Sequence, residues 1–244
     1  MAAIVLFAGF VHGVIGFGFP LVAMPLLALL IDYKAAVLFT LVPILFLNVS
    51  GALAGAGGAR SFLRFWFMPI VMVAGVYVGT HALIRMHPAP FILVLVAAIL
   101  LFLNLERLGR ARALGAVRRF PVASGVIVAF VAGVFEATVN VAVPPLLVYF
   151  MLLGLSPAAL VQALNLSFIG GKIVQIGVWT VDGGIEPGFW LYTVPWAIAA
   201  VGAFIAGARI RGRLPPATYL RWLRGFLWVI SGVLTIQFVL AVRA

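Results

Sequence analysis

"GVIGFGFP", residues 13–20, decides how this chain is built. It lies inside a long apolar run, yet three glycines and a proline fall within these eight residues. A helix facing lipid would lose backbone hydrogen bonds there, and hydrocarbon offers no water to replace them. Irregular backbone at membrane depth is tolerated where it is buried in protein or lines a cavity. The composition makes lipid the relevant solvent. The 244 residues are 66% hydrophobic and 9% charged, with a mean hydropathy of +1.28. A water-soluble domain of this length could not cover so much apolar surface.

A membrane-spanning helix needs about 20 apolar residues. Apolar stretches and their breakers divide the chain into eight segments, near residues 3–31, 35–54, 65–84, 90–105, 122–153, 157–181, 188–208 and 219–242. An arginine-rich connection covers 106–120. The first segment lacks a basic leader and its apolar run continues past Leu30, so it reads as part of the membrane domain and not as a cleavable signal peptide. Trp66, Trp179, Trp190 and Trp222 fall near segment ends, where an interfacial aromatic belt belongs. The net charge of +11 reads as positive-inside bias beside membrane segments, not as a nucleic-acid surface. The absence of cysteine excludes disulfides, thiol redox chemistry and cysteine-ligated metals.

The chain repeats itself. At an offset of 120 residues, "FVHGV" (10–14) meets "FVAGV" (130–134), and "PLL" (25–27) meets "PLL" (145–147). The fifth segment is interrupted like the first, at "EATVNVAVPP" (136–145). Residues 1–120 therefore read as one repeat and 121–244 as a second, within one integral membrane domain.

The arginines decide the path of the fifth segment. If all eight segments cross, the basic residues of the loops divide eight against seven, which is no bias. If the fifth enters, turns at its break and leaves on the same side, they divide twelve against three, and Asp182 and Glu186 fall on the poor side. The positive-inside rule prefers the second arrangement and makes the rich side cytoplasmic. Strictly it demands an odd number of crossings between Phe120 and Asp182, and the break assigns the odd one out to the fifth segment. By the repeat, the first segment turns back as well. Each half is then a re-entrant hairpin plus three crossings, an odd number, so the halves have opposite orientation. The predicted fold is an all-α polytopic membrane protein of two inverted repeats, the plan of secondary transporters.

At these residues the chain resembles the sulfite exporter TauE/SafE family. The first half carries "AGFVHGVIGFGFPLVAMPLLAL" (8–29) and "KAAVLFTLVPILFLNVSG" (34–51). The second carries "VAGVFEATVNVAVPPLLVYFMLLGLSPAAL" (131–160) and "NLSFIGGKIVQ" (165–175). The layout matches over nearly the whole chain. The specific likeness lies in the two hairpin stretches and in "GGKIVQ". Family hairpins often carry a run of glycines, whereas here Phe19 and Pro20 follow Gly18, and the second break holds Glu136, Thr138 and Asn140. The resemblance implies membrane transport, often of sulfur-containing anions such as sulfite or sulfonates.

The residues themselves point the same way. Half-helices starting near Pro20 and Pro144 would aim free N–H groups and positive dipole ends into a cavity, which favours an anion. Gly16 and Gly18 would allow close approach of backbone to ligand, or simply close helix packing. Lys172 is an intramembrane lysine, a functional residue by default. It holds an anionic substrate or pairs with Glu136. Glu136 is the expected carrier of a coupling proton, since burial and a nearby lysine act on its protonation in opposite senses. Asn140, Asn165 and Gln175 complete the expected substrate set, with Gln162 as a further donor. Gln175 lies three positions beyond Lys172 and Asn165 seven before it, on roughly one helix face. Thr40, Asn48 and Ser50 in the first half read as donors or as residues that bind neighbouring helices. His12 reads as a packing and hydrogen-bonding residue, with a proton relay as the sharper alternative. His81 and His87 look interfacial. No metal-ligand spacing and no cofactor motif occurs, and no nucleophile stands with a base, so an intramembrane enzyme is disfavoured. The leading function is a secondary transporter for small organic or sulfur-containing anions. Its alternatives are an anion channel and an intramembrane assembly or scaffold protein. The implied partners are a small anion and the lipid bilayer, with room for a homo-oligomer.

Overall fold

Each predicted break separates two helices. The computed structural model describes residues 1–28, 30–54, 65–86, 119–182 and 184–211, with single positions or pairs elsewhere. The fourth and eighth predicted segments and most of the arginine-rich connection lie largely outside the described residues. Among the described residues all regular structure is helical. The helices are α1 (Ala2–Ile15), α2 (Phe19–Ala28), α3 (Tyr33–Leu53), α4 (Phe67–Arg85), α5 (Pro121–Val139), α6 (Val143–Leu152), α7 (Pro157–Val181) and α8 (Phe189–Arg211). Five of them, α3, α4, α5, α7 and α8, are long and apolar enough to cross a membrane. The first predicted segment is α1 plus α2, and the fifth is α5 plus α6.

Local chemistry sets the ends. Asp32 caps α3, its carboxylate accepting from the Lys34 and Ala35 N–H groups at 2.9 and 3.2 Å. Ser156 caps α7 by accepting from Ala159 at 3.4 Å. Pro121 and Pro144 stand in the first turns of α5 and α6, where a missing N–H costs least. Helix α1 ends on Gly16 with φ +94°, and α5 ends on Asn140 with φ +59°. Both are left-handed stops, which glycine adopts freely and asparagine tolerates better than other residues.

Contacts along the helices give their directions. Helices α1 and α8 cross closely and run the same way: Gly9 lies against Ala200, and Gly13 against Gly207. Helices α4 and α5 do likewise, with Gly125 beside Phe67 and Gly79 beside Val134 and Ala137. A Cβ at Gly13, Gly133 or Gly207 would overlap a carbonyl of the facing helix, so these crossings require the bare backbone. Lys34 Nζ donates to the Ile84 carbonyl at 2.9 Å, which sets the start of α3 beside the end of α4. Phe39 stacks on Tyr192 near the starts of α3 and α8, and Ser50 and Val201 share one groove further along, so these two are parallel. Gly51 meets Asn165 near the end of α3 and the start of α7, so those two are antiparallel. Helices α1, α3 and α8 thus run one way and α4, α5 and α7 the other.

Both interrupted segments double back. Tyr149 of α6 donates to the carbonyl of Pro121, the first residue of α5, at 2.9 Å. In a straight path these residues would lie about 42 Å apart at 1.5 Å per residue. Helix α2 joins two parallel helices, α1 and α3, and packs against both.

The packing is the same when the halves are exchanged. Helix α1 packs on α8 as α5 packs on α4, α3 on α8 as α7 on α4, and α2 on α3 as α6 on α7. Equivalent positions at the breaks and in α3/α7 lie 124 residues apart. The stops Gly16 and Asn140 differ by 124, as do the caps Asp32 and Ser156. The glycine crossings keep the step of 120: Gly13 and Gly207 meet at the Phe204 and Phe10 carbonyls as Gly133 and Gly75 meet at those of Met72 and Phe130. The sequence match at 120 thus holds where α1 and α5 cross their neighbours, and one helical turn more, 124, separates the breaks and the helices after them.

The aromatic belt is partly as expected. Trp66, Trp190 and Trp222 are 62%, 47% and 47% exposed, but Trp179 is buried, with its ring against Gly184.

Candidate functional site

The two breaks border one buried cavity of about 20 Å³, the room of about one water molecule. His12, Phe17, Gly18 and Pro20 come from the first hairpin, and Glu136, Asn140, Ala142 and Val143 from the second. Ile44 and Asn48 come from α3, Phe168 and Lys172 from α7. The register of 124 runs through this wall. It pairs His12 with Glu136, Gly18 with Ala142, Ile44 with Phe168 and Asn48 with Lys172.

The second break is charged. Lys172 is 1% exposed in the middle of α7, while Lys34, Arg85, Arg209 and Arg211 stand in first or last turns of their helices. Its Nζ donates to Asn140 Oδ1 and, at 2.7 Å, to Gln175 Oε1. Glu136 Oε1 lies 3.6 Å away. An ammonium has three N–H donors: two go to these amide oxygens, and the carboxylate stands as an ion-pair partner beyond hydrogen-bond distance. Asn140 in turn donates to Thr40 Oγ1 at 2.7 Å, and Gln175 donates to the Ala137 carbonyl at 3.0 Å. Thr40 passes its own hydrogen to the Ala36 carbonyl at 2.8 Å. Tyr33 donates to the Thr138 carbonyl at 3.0 Å. The chain thus holds its second turn through side chains of α3 and α7 together. Glu136 is buried, yet neither carboxylate oxygen accepts a hydrogen bond from a described residue. A Cβ at Gly171 would overlap its Oε2, so glycine there makes room for the acid.

The first break is neutral. Asn165 Nδ2 donates to the Gly16 carbonyl and to the Val161 carbonyl, both at 2.8 Å. His12 sits between Asn165 Oδ1 and the Phe19 N–H, each 3.4 Å from a ring nitrogen. A ring that accepts at Nδ1 carries its hydrogen on Nε2 and donates it to Asn165. His12 also meets Phe204 edge to face at 5.7 Å. Its contacts are those of a packing and hydrogen-bonding residue.

The family model for the sulfite exporter TauE/SafE matches residues 1–235. The chain belongs to this family. Neither the curated proteins nor the solved structures compared with it give a match. As a TauE/SafE protein it is a multi-pass membrane transporter and not an enzyme.

The sequence-predicted residues of this TauE/SafE chain fall into two clusters. Asn140, Lys172, Gln175 and Glu136 meet at the second break. Gly16 and Asn165 meet at the first and bond to each other, away from Lys172, although Asn165 shares its helix. Gly18 borders the cavity, whereas Gly16, Asn165 and Gln175 stand behind its wall. Gln162 is only partly buried. His81 is half-buried near the end of α4 and bonds to the Tyr77 carbonyl at 2.9 Å, and His87 lies outside the described residues. Thr40 was underweighted by the sequence. Its signal is its place eight residues into α3, close to the place of Asn165 in α7: each braces the hairpin of the opposite half.

Proposed function

We propose that this protein is a secondary transporter of small oxyanions, sulfite- or sulfonate-like, built as two inverted repeats. The opposed directions of α1 and α5, α3 and α7, and α4 and α8 support the inverted plan. They also agree with the arginine count, which puts the arginine-rich loops on the cytoplasmic side of the cell membrane. The observation that carries the anion reading is Lys172, a buried cation that meets only oxygen acceptors at the edge of the cavity between the breaks. Lys172 is the anion's charge partner. Asn140 and Gln175 hold the ammonium in place, Gly18 forms wall, and Gly16 with Asn165 fixes the first turn.

A cavity of about 20 Å³ is too small for sulfite, so this is a closed form and the helices around it must part. The entering anion competes with Glu136 for the lysine. A proton on Glu136 removes that competitor, so proton and anion bind together. Transport of radiolabelled sulfite into proteoliposomes tests this. Uptake follows an imposed pH gradient in the native protein, and Glu136→Gln leaves flux that ignores the gradient. A Glu136→Gln protein that still concentrates sulfite in response to the gradient would remove the coupling role and leave Glu136 a structural partner.

A further inference from the structure

Asn48 is the cavity group that nothing above employs. It is 1% exposed, borders the cavity, and its Nδ2 donates to no described residue. A buried amide N–H without an acceptor costs about 1–3 kcal/mol. Such a donor is explained when a ligand supplies the acceptor in another step of the cycle. Two further facts bear on that ligand. Asn48 stands in α3 at the position equivalent to Lys172 in α7, 124 residues on, and both side chains border the same space from opposite halves. The other buried polar atoms there without a hydrogen bond are the Glu136 oxygens, which reject a bare anion, so the donors it meets are the free Asn48 amide and the Lys172 ammonium.

We infer that Asn48 is an anion-binding residue of the transport site, the neutral counterpart of Lys172, and that the two clamp one oxyanion between the halves. The ligand is a compact group with at least two negatively charged oxygens on one centre, one accepting from Asn48 Nδ2 and another from Lys172 Nζ. The inference rests on the anion-transport reading. It adds that the first half, which carries no charge at the cavity, still supplies a direct contact. Because α3 and α7 run in opposite directions, parting the halves on either side of the membrane breaks the clamp.

The test measures uptake of sulfite, methanesulfonate and acetate, each radiolabelled, in proteoliposomes of the native protein, Asn48→Ala, Asn48→Ser and Asn48→Asp. Thermal stability of each purified variant is read alongside. Loss of the donor in Asn48→Ala raises KM for the transported anion about tenfold or more, with the maximal rate changed less than about threefold. Serine keeps a donor and restores part of the affinity. Aspartate sets a second carboxylate against the anion and abolishes uptake while the protein stays folded. An Asn48→Ala protein with native KM overturns the inference. So does one that loses stability and maximal rate together at unchanged KM, the signature of a packing residue. If alanine prevents folding, serine carries the test: native KM for Asn48→Ser with active Asn48→Asp also overturns it. A native protein that moves none of the three anions overturns the anion-transport reading itself, and the clamp with it.

Discussion

The two helix breaks share a geometry and differ in chemistry. Each follows a helix stopped by a left-handed residue, Gly16 or Asn140, and each is braced by a polar side chain from the helix after the hairpin of the opposite half, Asn165 of α7 or Thr40 of α3. The first break is glycine-rich and neutral, and its brace, Asn165, bonds to backbone. The second replaces glycine by asparagine and places Glu136 and Lys172 beside it. The fold needs the stop and the brace twice. It needs the charge pair once. The geometry therefore belongs to the architecture, and under the proposed function the asymmetry between the breaks belongs to transport.

The largest test of that division is Lys172→Ala. Uptake falls below detection in proteoliposomes. The variant also leaves Glu136 buried without its cation, which costs about 3–5 kcal/mol. Adding Glu136→Gln recovers most of that stability in a thermal melt and none of the transport. Lys172→Arg is impaired too, because a planar fork does not replace a compact ammonium. Undiminished uptake by Lys172→Ala would erase the functional difference between the breaks.

Asn140 separates the two roles within one residue. Asn140→Gly keeps the left-handed stop and loses the bonds to Lys172 and Thr40. Asn140→Ala loses both, at about 1–2 kcal/mol more for the left-handed backbone. Both variants lose at least tenfold in transport rate, while only alanine shows the additional fall in melting temperature. Equal melting temperatures would mean that the stop is not what Asn140 supplies to the fold.

Glycine crossings sharpen the comparison at the level of packing. Gly75→Ala and Gly207→Ala each force a Cβ against a carbonyl at equivalent places, Phe130 and Phe10. Each lowers stability by about 1–3 kcal/mol, and by similar amounts. A large effect at one site and none at the other would break the equivalence of the two crossings. The smallest effect on transport is expected at the first break. Asn165→Ala leaves the Gly16 carbonyl without its partner and costs about 1–3 kcal/mol in a melt. Its sulfite KM stays within about threefold of native, since Asn165 stands behind the cavity wall.

The sequence by itself determined the class of this protein. Composition and segment length require a multi-helix membrane protein, because apolar surface on this scale has nowhere else to go. The glycines of 13–20 and the polar stretch at 136–145 located both interruptions, since left-handed stops and first-turn prolines are local requirements that local residues meet. The cost of charge in hydrocarbon singled out Lys172 and Glu136. Tertiary structure alone decided who meets whom. It paired the ammonium with Asn140 and Gln175, withdrew Asn165 to the first break, and buried Trp179. It kept the repeat register at 120 where α1 and α5 cross their neighbours and set it at 124 from the breaks onward. The reason is periodicity. Residues four apart share a helix face, so a one-turn slip leaves the pattern of apolar and small residues almost unchanged. Only the contact across to another helix, such as Gly75 against Phe130 or Lys172 against Asn140, distinguishes one turn from the next.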